Sequence, residues 1–228
     1  MRPVPPFTLV DRWLTGCSVS GTSRLHLPYD DILDVLRGFL PAWPVHEDWY
    51  LAEHPEVRRF LLENPDETAT SHFRKFGYFS GCHPFRNGWC DLRRPIGFER
   101  LKAGFDVIVT RAGLYVYIER NRFLVLIKKL LISVPVGEDW YCENYADADE
   151  AIRRGQFQSA SDHYIRAGYF NGYLAEDPNV DEDWYIARYE HVRSGLACGE
   201  AVSAKDHFIR IGYGEGCLPS RRGHRDAC

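Results

Sequence analysis

The stretch Val136-Gly137-Glu138-Asp139-Trp140-Tyr141 decides how this chain is read, because it occurs in three versions. Val45-His46-Glu47-Asp48-Trp49-Tyr50 precedes it and Val180-Asp181-Glu182-Asp183-Trp184-Tyr185 follows it. A His-aromatic pair lies 24 residues beyond the Asp of each copy, at His72-Phe73, His163-Tyr164 and His207-Phe208. Gly-Tyr then appears at Gly77-Tyr78, Gly168-Tyr169 and Gly212-Tyr213, and a second glycine at Gly81, Gly172 and Gly216. The copies align without a gap over 37 positions. Self-similarity of this length marks a repeated packing unit, one supersecondary structure per copy.

With the Asp of each copy as position 0, positions +2, +6, +9 and +13 hold Tyr50, His54, Val57 and Leu61 in copy one. The same positions hold Tyr141, Tyr145, Ala148 and Ile152 in copy two, and Tyr185, Tyr189, Val192 and Leu196 in copy three. Steps of this kind lay the side chains on one face of an amphipathic helix. The acids ahead of it suit a helix N-terminus, and Asn64, Gly155 and Gly199 at +16 suit a left-handed end. Ser159-Ala160-Ser161-Asp162, Ser203-Ala204-Lys205-Asp206 and Thr68-Ala69-Thr70-Ser71 open a second helix as variants of the capping box. Its inward stripe is expected at +21, +24, +25 and +28, the last being Phe76, Ala167 and Ile211. Gly77, Gly168 and Gly212 at +29 are expected to close it in the left-handed conformation.

Repeat one is thus read as residues 45–85, repeat two as 136–179 and repeat three as 180–219. Copies two and three are 44 residues apart and should stack directly, whereas 91 residues separate copies one and two. The intervening insert, 86–135, contains Phe105–Thr110, Leu114–Ile118 and Phe123–Ile127, rich in β-branched and aromatic residues and separated by turn-sized segments. These read as a three-stranded meander, apolar on both faces, that packs against the repeats or a second subunit. Residues 1–44 hold one expected helix, Asp30 to Leu40, and the tail 220–228 reads as disordered. The fold class is therefore mainly α: three helix–turn–helix repeats with a small antiparallel β-meander inserted between repeats one and two.

Bulk properties exclude several functions. Among 228 residues, 45% are hydrophobic, enough for a folded core, and the net charge of −4 gives no general attraction to nucleic acid. Seven cysteines include no C-x-x-C pair, which argues against a zinc ribbon or a thioredoxin-type site. The first residues lack the apolar run of a signal peptide, and Phe123 to Val136, interrupted by Lys128-Lys129, is too short to span a bilayer. A reducing, cytoplasmic setting is expected. Phosphate-loop, dinucleotide, G-x-S-x-G and H-E-x-x-H signatures are missing.

The repeat resembles one found in bacterial, mainly alphaproteobacterial, proteins of polysaccharide and exopolysaccharide biosynthesis, often beside glycosyltransferase domains. The resemblance rests on Trp184-Tyr185-Ile186, Tyr189, Ser203-Ala204, His207-Phe208, Gly212, Glu215-Gly216 and Pro219, with Pro55-Glu56-Val57 supplied by copy one. The arginine that follows the second glycine in that pattern is Cys82, Tyr173 or Cys217 here. The resemblance implies an association with surface-polysaccharide synthesis.

The candidate chemistry is sparse. His72, His163 and His207 sit on the inward stripe, where a hydrogen-bonded core histidine explains them better than a shared metal, from which one repeat width would separate them. Trp49, Trp140 and Trp184 read as repeat-packing residues, with a sugar-stacking platform as the alternative. Lys75, Arg166 and Arg210 at +27 point off the core stripe once per repeat, as a row for an anionic polymer or acidic partner would, although cations also simply suit a last helical turn. The reading that results is a non-catalytic interaction or scaffold module without cofactor or metal. Its expected partner is a protein or a second copy, met through the insert. The first alternative is a carbohydrate-binding module for an acidic polysaccharide, and the second an enzyme with its site near Cys90, Asp91 and Asp106.

Overall fold

A computed structural model describes residues 3–221, apart from the side chain of Asp91. The protein is mainly helical with one three-stranded antiparallel sheet. Its described residues form two compact units: 14–135 with repeat one, and 3–13 together with 136–221, carrying repeats two and three. Of the tail read as disordered, 222–228 lie outside the described residues. No described helix is long and apolar enough to cross a membrane.

The N-terminal segment contributes α1 (Phe7–Gly16), β1 (Arg24–Pro28) and α2 (Tyr29–Phe39), so the expectation of one helix there is corrected to two helices and a strand. Repeat one follows as α3 (Glu47–Glu53), α4 (Pro55–Glu63) and α5 (Ala69–His72). The insert holds α6 (Phe98–Lys102), β2 (Asp106–Thr110), β3 (Gly113–Glu119) and α7 (Arg120–Leu131). Repeat two comprises α8 (Glu138–Asn144), α9 (Ala146–Arg153) and α10 (Ala160–Arg166). Repeat three comprises α11 (Glu182–Arg188), α12 (Glu190–Ala197), α13 (Ala204–His207) and α14 (Tyr213–Glu215).

The expected first helix of each repeat is in fact two, meeting at +6. His54, Tyr145 and Tyr189 adopt φ near −120° there and break the ladder. Pro55 disfavours helix at His54, but copies two and three break without a proline. In those copies the +6 hydroxyl reaches back instead: Tyr145 and Tyr189 accept hydrogen bonds from the amides of Leu174 and Leu218, each at 2.9 Å. The acids that open the first helix also act at a distance. Glu47 accepts from the amide and hydroxyl of Thr70, and Glu138 from the amides of Ala160 and Ser161, so these carboxylates cap the second helix.

One interaction recurs at the centre of all three repeats. Tyr50, Tyr141 and Tyr185 at +2 are fully buried, and their hydroxyls hydrogen-bond Nδ1 of His72, His163 and His207 at 3.0, 2.8 and 3.1 Å. A Cβ on Gly77, Gly168 or Gly212 would lie 2.1, 2.0 or 2.0 Å from the same hydroxyl. These glycines are therefore required for space, and the expectation that they are left-handed caps is corrected. The left-handed residues are Gly81, Gly172 and Gly216, with φ of 87°, 83° and 83°. Each sits in a Schellman turn closed by the bonds Cys82 N–H to Gly77 O, Tyr173 N–H to Gly168 O and Cys217 N–H to Gly212 O.

Room for the phenol is made by distorting the second helix. In repeat one the amide of Tyr78 bonds the carbonyl of Phe73, five residues back, and repeat three has the same π-helical turn at Phe208–Gly212. Repeat two instead leaves helical geometry at Ala167 and continues as a 3₁₀ turn, Gly168–Asn171. The added residue turns the helix face by about 100°. Position +28, expected inside, is consequently exposed in repeats one and three (Phe76 49%, Ile211 42%) and half-buried at Ala167 in repeat two, and Tyr78, Tyr169 and Tyr213 at +30 are buried. At +16, Gly155 and Gly199 are left-handed as expected, whereas Asn64 is extended at φ −130°.

The third expected strand of the insert is helical. Phe123, Leu126, Ile127, Leu130 and Leu131 are the buried residues of α7, a spacing of three and four that the local richness in β-branched residues concealed. The third strand of the sheet is β1, giving the order β1-β3-β2 with Leu25 opposite Ile118 and Leu27 opposite Val116. Helices α2 and α7 pack on this sheet. In the other unit, Trp140 and Leu174 of repeat two join the core of repeat three around Tyr185, Val192 and Phe208, so these two copies are in direct contact. The +30 tyrosines tie down neighbouring chain: Tyr169 and Tyr213 donate to the carbonyls of Pro5 and Val4, and Tyr78 to that of Ile96.

The contact between phenol and glycine makes a testable demand. Gly168→Ala should destabilise the protein by about 1–3 kcal/mol through overpacking. Combined with Tyr141→Phe, which removes the clashing oxygen, it should cost less than the sum of the two single changes in urea denaturation. Strict additivity would contradict the contact.

Candidate functional site

The residues that recur in every repeat are occupied by the fold. His163 and His207 are buried and His72 half-buried, each bonded through Nδ1 to its tyrosine. Burial lowers the basicity of all three rings, against the pull of nearby carboxylates: Glu56 and Glu67 at His72, Asp147 and Asp162 at His163, and Glu215, Asp206 and Glu200 at His207. Burial also pushes the partner phenols far up, so each tyrosine keeps its proton and can donate it to a neutral imidazole.

Of the tryptophans, Trp140 and Trp184 are half-buried, pack on the repeat-three core and meet Tyr145 and Tyr189 edge-on at 5.9 and 6.1 Å. Trp49 lies in the other unit, with the Arg94 guanidinium 5.9 Å from its ring centre. The basic residues at +27 are exposed, but each has an acid of its own repeat. Lys75 pairs with Glu67 at 2.5 Å, Arg166 with Asp162 at 3.0 Å and Arg210 with Asp206 at 3.4 Å. Lys75 belongs to one unit and Arg166 and Arg210 to the other.

A site that sequence reading missed lies in the unit of residues 14–135. A cleft of about 790 Å³ is lined by Arg94, Arg100, Lys129, His83, Asn87 and Phe98, with Glu99 the one acid among its described lining residues. Its cations come from the loop after repeat one, from the adjoining α6 and, about thirty residues later, from α7. The basic runs Arg93-Arg94 and Lys128-Lys129 were visible signals. Burial and the Arg94 charge hold His83 below the usual imidazole range, which suits a wall already rich in positive charge. Among the described residues the cleft's lining does not include Cys90 or Asp106, and the side chain of Asp91 lies outside the described residues. Cys90 is exposed in a left-handed turn (φ 51°), and Asp106 is exposed at the start of β2.

The groove at +34 is the second notable feature. In repeat two it is filled by Tyr173, which stacks on Tyr145 at 4.0 Å and donates to Asp147 at 2.6 Å. Repeats one and three place Cys82 and Cys217 there, half-buried thiols raised above the ordinary value mainly by burial.

Because the three core histidines titrate lower in the fold than the ordinary 6.5, the unfolded chain takes up their protons first on acidification. Their contribution to stability is complete above that value and is lost as the pH falls through it. The stability of His163→Asn should therefore depend less steeply on pH between about pH 7 and pH 5 than that of the parent protein. Equal slopes of the urea midpoint against pH would show that this ring does not titrate on unfolding.

Compared with known proteins, the chain matches no family model, no curated protein and no solved structure.

Proposed function

We propose that this protein is a non-catalytic interaction module that self-associates through its sheet edge. The observation that carries the reading is β2: every residue of Asp106–Thr110 is exposed, including Val107, Ile108 and Val109 at 40%, 44% and 79%. This strand pairs with β3 on one side and forms an edge of the described sheet. Long apolar edges invite pairing with another chain. Antiparallel pairing of β2 with its own copy about a two-fold axis is self-complementary: Ile108 meets itself and Asp106 meets Thr110, so no like charges face each other. The recurring tyrosine–histidine pairs and +27 cations support the same reading, since each is engaged within its own repeat. The resemblance of the repeats to those of polysaccharide-biosynthesis proteins supports a scaffold associated with that machinery, and its six described free thiols suit a reducing cytoplasm.

The decisive measurement is mass in solution by light scattering. The parent protein should be a dimer or larger, and Val109→Lys, exposed in the fold and placed on the edge, should be a folded monomer. A monomeric parent protein removes the proposal.

A second reading is favoured by the basic cleft: binding of an acidic polysaccharide by Arg94, Arg100 and Lys129. It expects salt-sensitive retention of the protein on an immobilised uronic-acid polymer, lost when these three residues are changed to alanine. Retention unchanged in the triple variant would exclude this cleft as the site.

A further inference from the structure

We propose that repeat three binds one borderline-soft divalent cation of the zinc type through His191, Glu215 and Cys217. One donor atom from each lies within 4.8 Å of the other two, with His191 Nε2 4.0 Å from Glu215 Oε2. Imidazole, carboxylate and thiolate are the three ligand classes that zinc takes in proteins. Around a tetrahedral ion such donors stand roughly 3.3–3.7 Å apart, so the group must close by at most about 1.5 Å. The side chains of His191 and Glu215 are 58% and 56% exposed and can rotate to do so. Three protein ligands leave the fourth position to water or to a group from a partner.

The scaffold holds the three ligands unequally. Cys217 follows Gly216 in the Schellman turn, its amide tied to Gly212 at 2.8 Å, so its backbone is held in place. The hydroxyl of Tyr189, which accepts from the Leu218 amide and keeps its own proton free, favours the thiolate form of the Cys217 sulfur, as outer-sphere donors do around metal-bound thiolates. Glu215 sits two residues earlier on α14 and His191 on α12, across the groove.

Comparison with the sister repeats singles out repeat three. The residues at +8, +32 and +34 are Asp147, Asn171 and Tyr173 in repeat two, where the tyrosine fills the groove and satisfies the aspartate. Repeat three replaces them with His191, Glu215 and Cys217, three ligand types at once. Repeat one brings His54 to 3.5 Å from Glu56 and 3.8 Å from Cys82. It nevertheless forms no set of three donors within the limit that repeat three meets, among the described residues. The sequence did not reveal the site because its ligands occupy positions where the copies differ.

Cobalt(II) added to the reduced, metal-free full-length protein tests the assignment. Saturable thiolate-to-cobalt charge-transfer absorption is expected at one ion per chain, with zinc displacing the cobalt. Cys217→Ser should abolish the absorption, and Cys82→Ser should leave it intact. His191→Ala and Glu215→Gln, both at exposed side chains that the fold tolerates, should each weaken zinc binding at least about tenfold in calorimetric titration. The proposal is overturned by absence of the absorption, by its survival in Cys217→Ser, by its loss in Cys82→Ser, or by undiminished zinc affinity in the His191 and Glu215 variants.

Discussion

The distance between the two ends of every repeat is set by a phenol standing against a glycine backbone. The +2 tyrosine brings its oxygen to where any other residue would carry a Cβ, and a histidine takes the hydroxyl proton that burial would otherwise leave unpaired. Three consequences follow from that single placement. The second helix must widen or break to pass the ring, the face beyond it rotates, and the +30 tyrosine turns inward to reach for a neighbouring carbonyl. A smaller residue at +2 would leave a cavity and a stranded imidazole together.

This constraint explains which parts of the fold were legible in the sequence. The threefold repetition, the helical class and the capping residues Thr68, Ser159 and Ser203 could be read directly, because each rests on local spacing or local hydrogen bonding. The left-handed glycines could not be assigned correctly, since Gly77 and Gly81 look alike in sequence and only the position of Tyr50 tells which needs space and which needs a positive φ. The exposure of Phe76 and Ile211 was hidden for the same reason: a π-helical turn changes the phase of a stripe without changing its letters. In the insert, local β propensity lost to periodicity, because Leu130 and Leu131 extend the apolar stripe of Phe123–Ile127 into a helix that packs beside the sheet. The strand that completes the sheet lies far earlier in the chain.

Function was less legible than fold, for a related reason. Repetition draws attention to the side chains that recur, and here these maintain the module. The features with chemical reach are those that differ between copies or lie outside them: the cations of the cleft from three separate elements, the bare edge of β2, and the His-Glu-Cys group of one repeat. Lys75, Arg166 and Arg210 illustrate the converse, since each recurring cation is held by an acid within its own copy.

The residue two places before each Asp donates its amide to a carbonyl 38 residues later: His46 to Pro84, Gly137 to Ala175 and Asp181 to Pro219, at 2.9–3.0 Å. A segment whose entry and exit are stitched side by side is a cassette. Chain can be spliced between two such cassettes without pulling either open, because the splice begins and ends at points that the stitch already holds together. The fifty residues of strand and helix between the first and second copies occupy such a joint. The same closure would let a copy be deleted, duplicated or transplanted as a unit, with the length of the array free to change while the geometry of each member stays fixed.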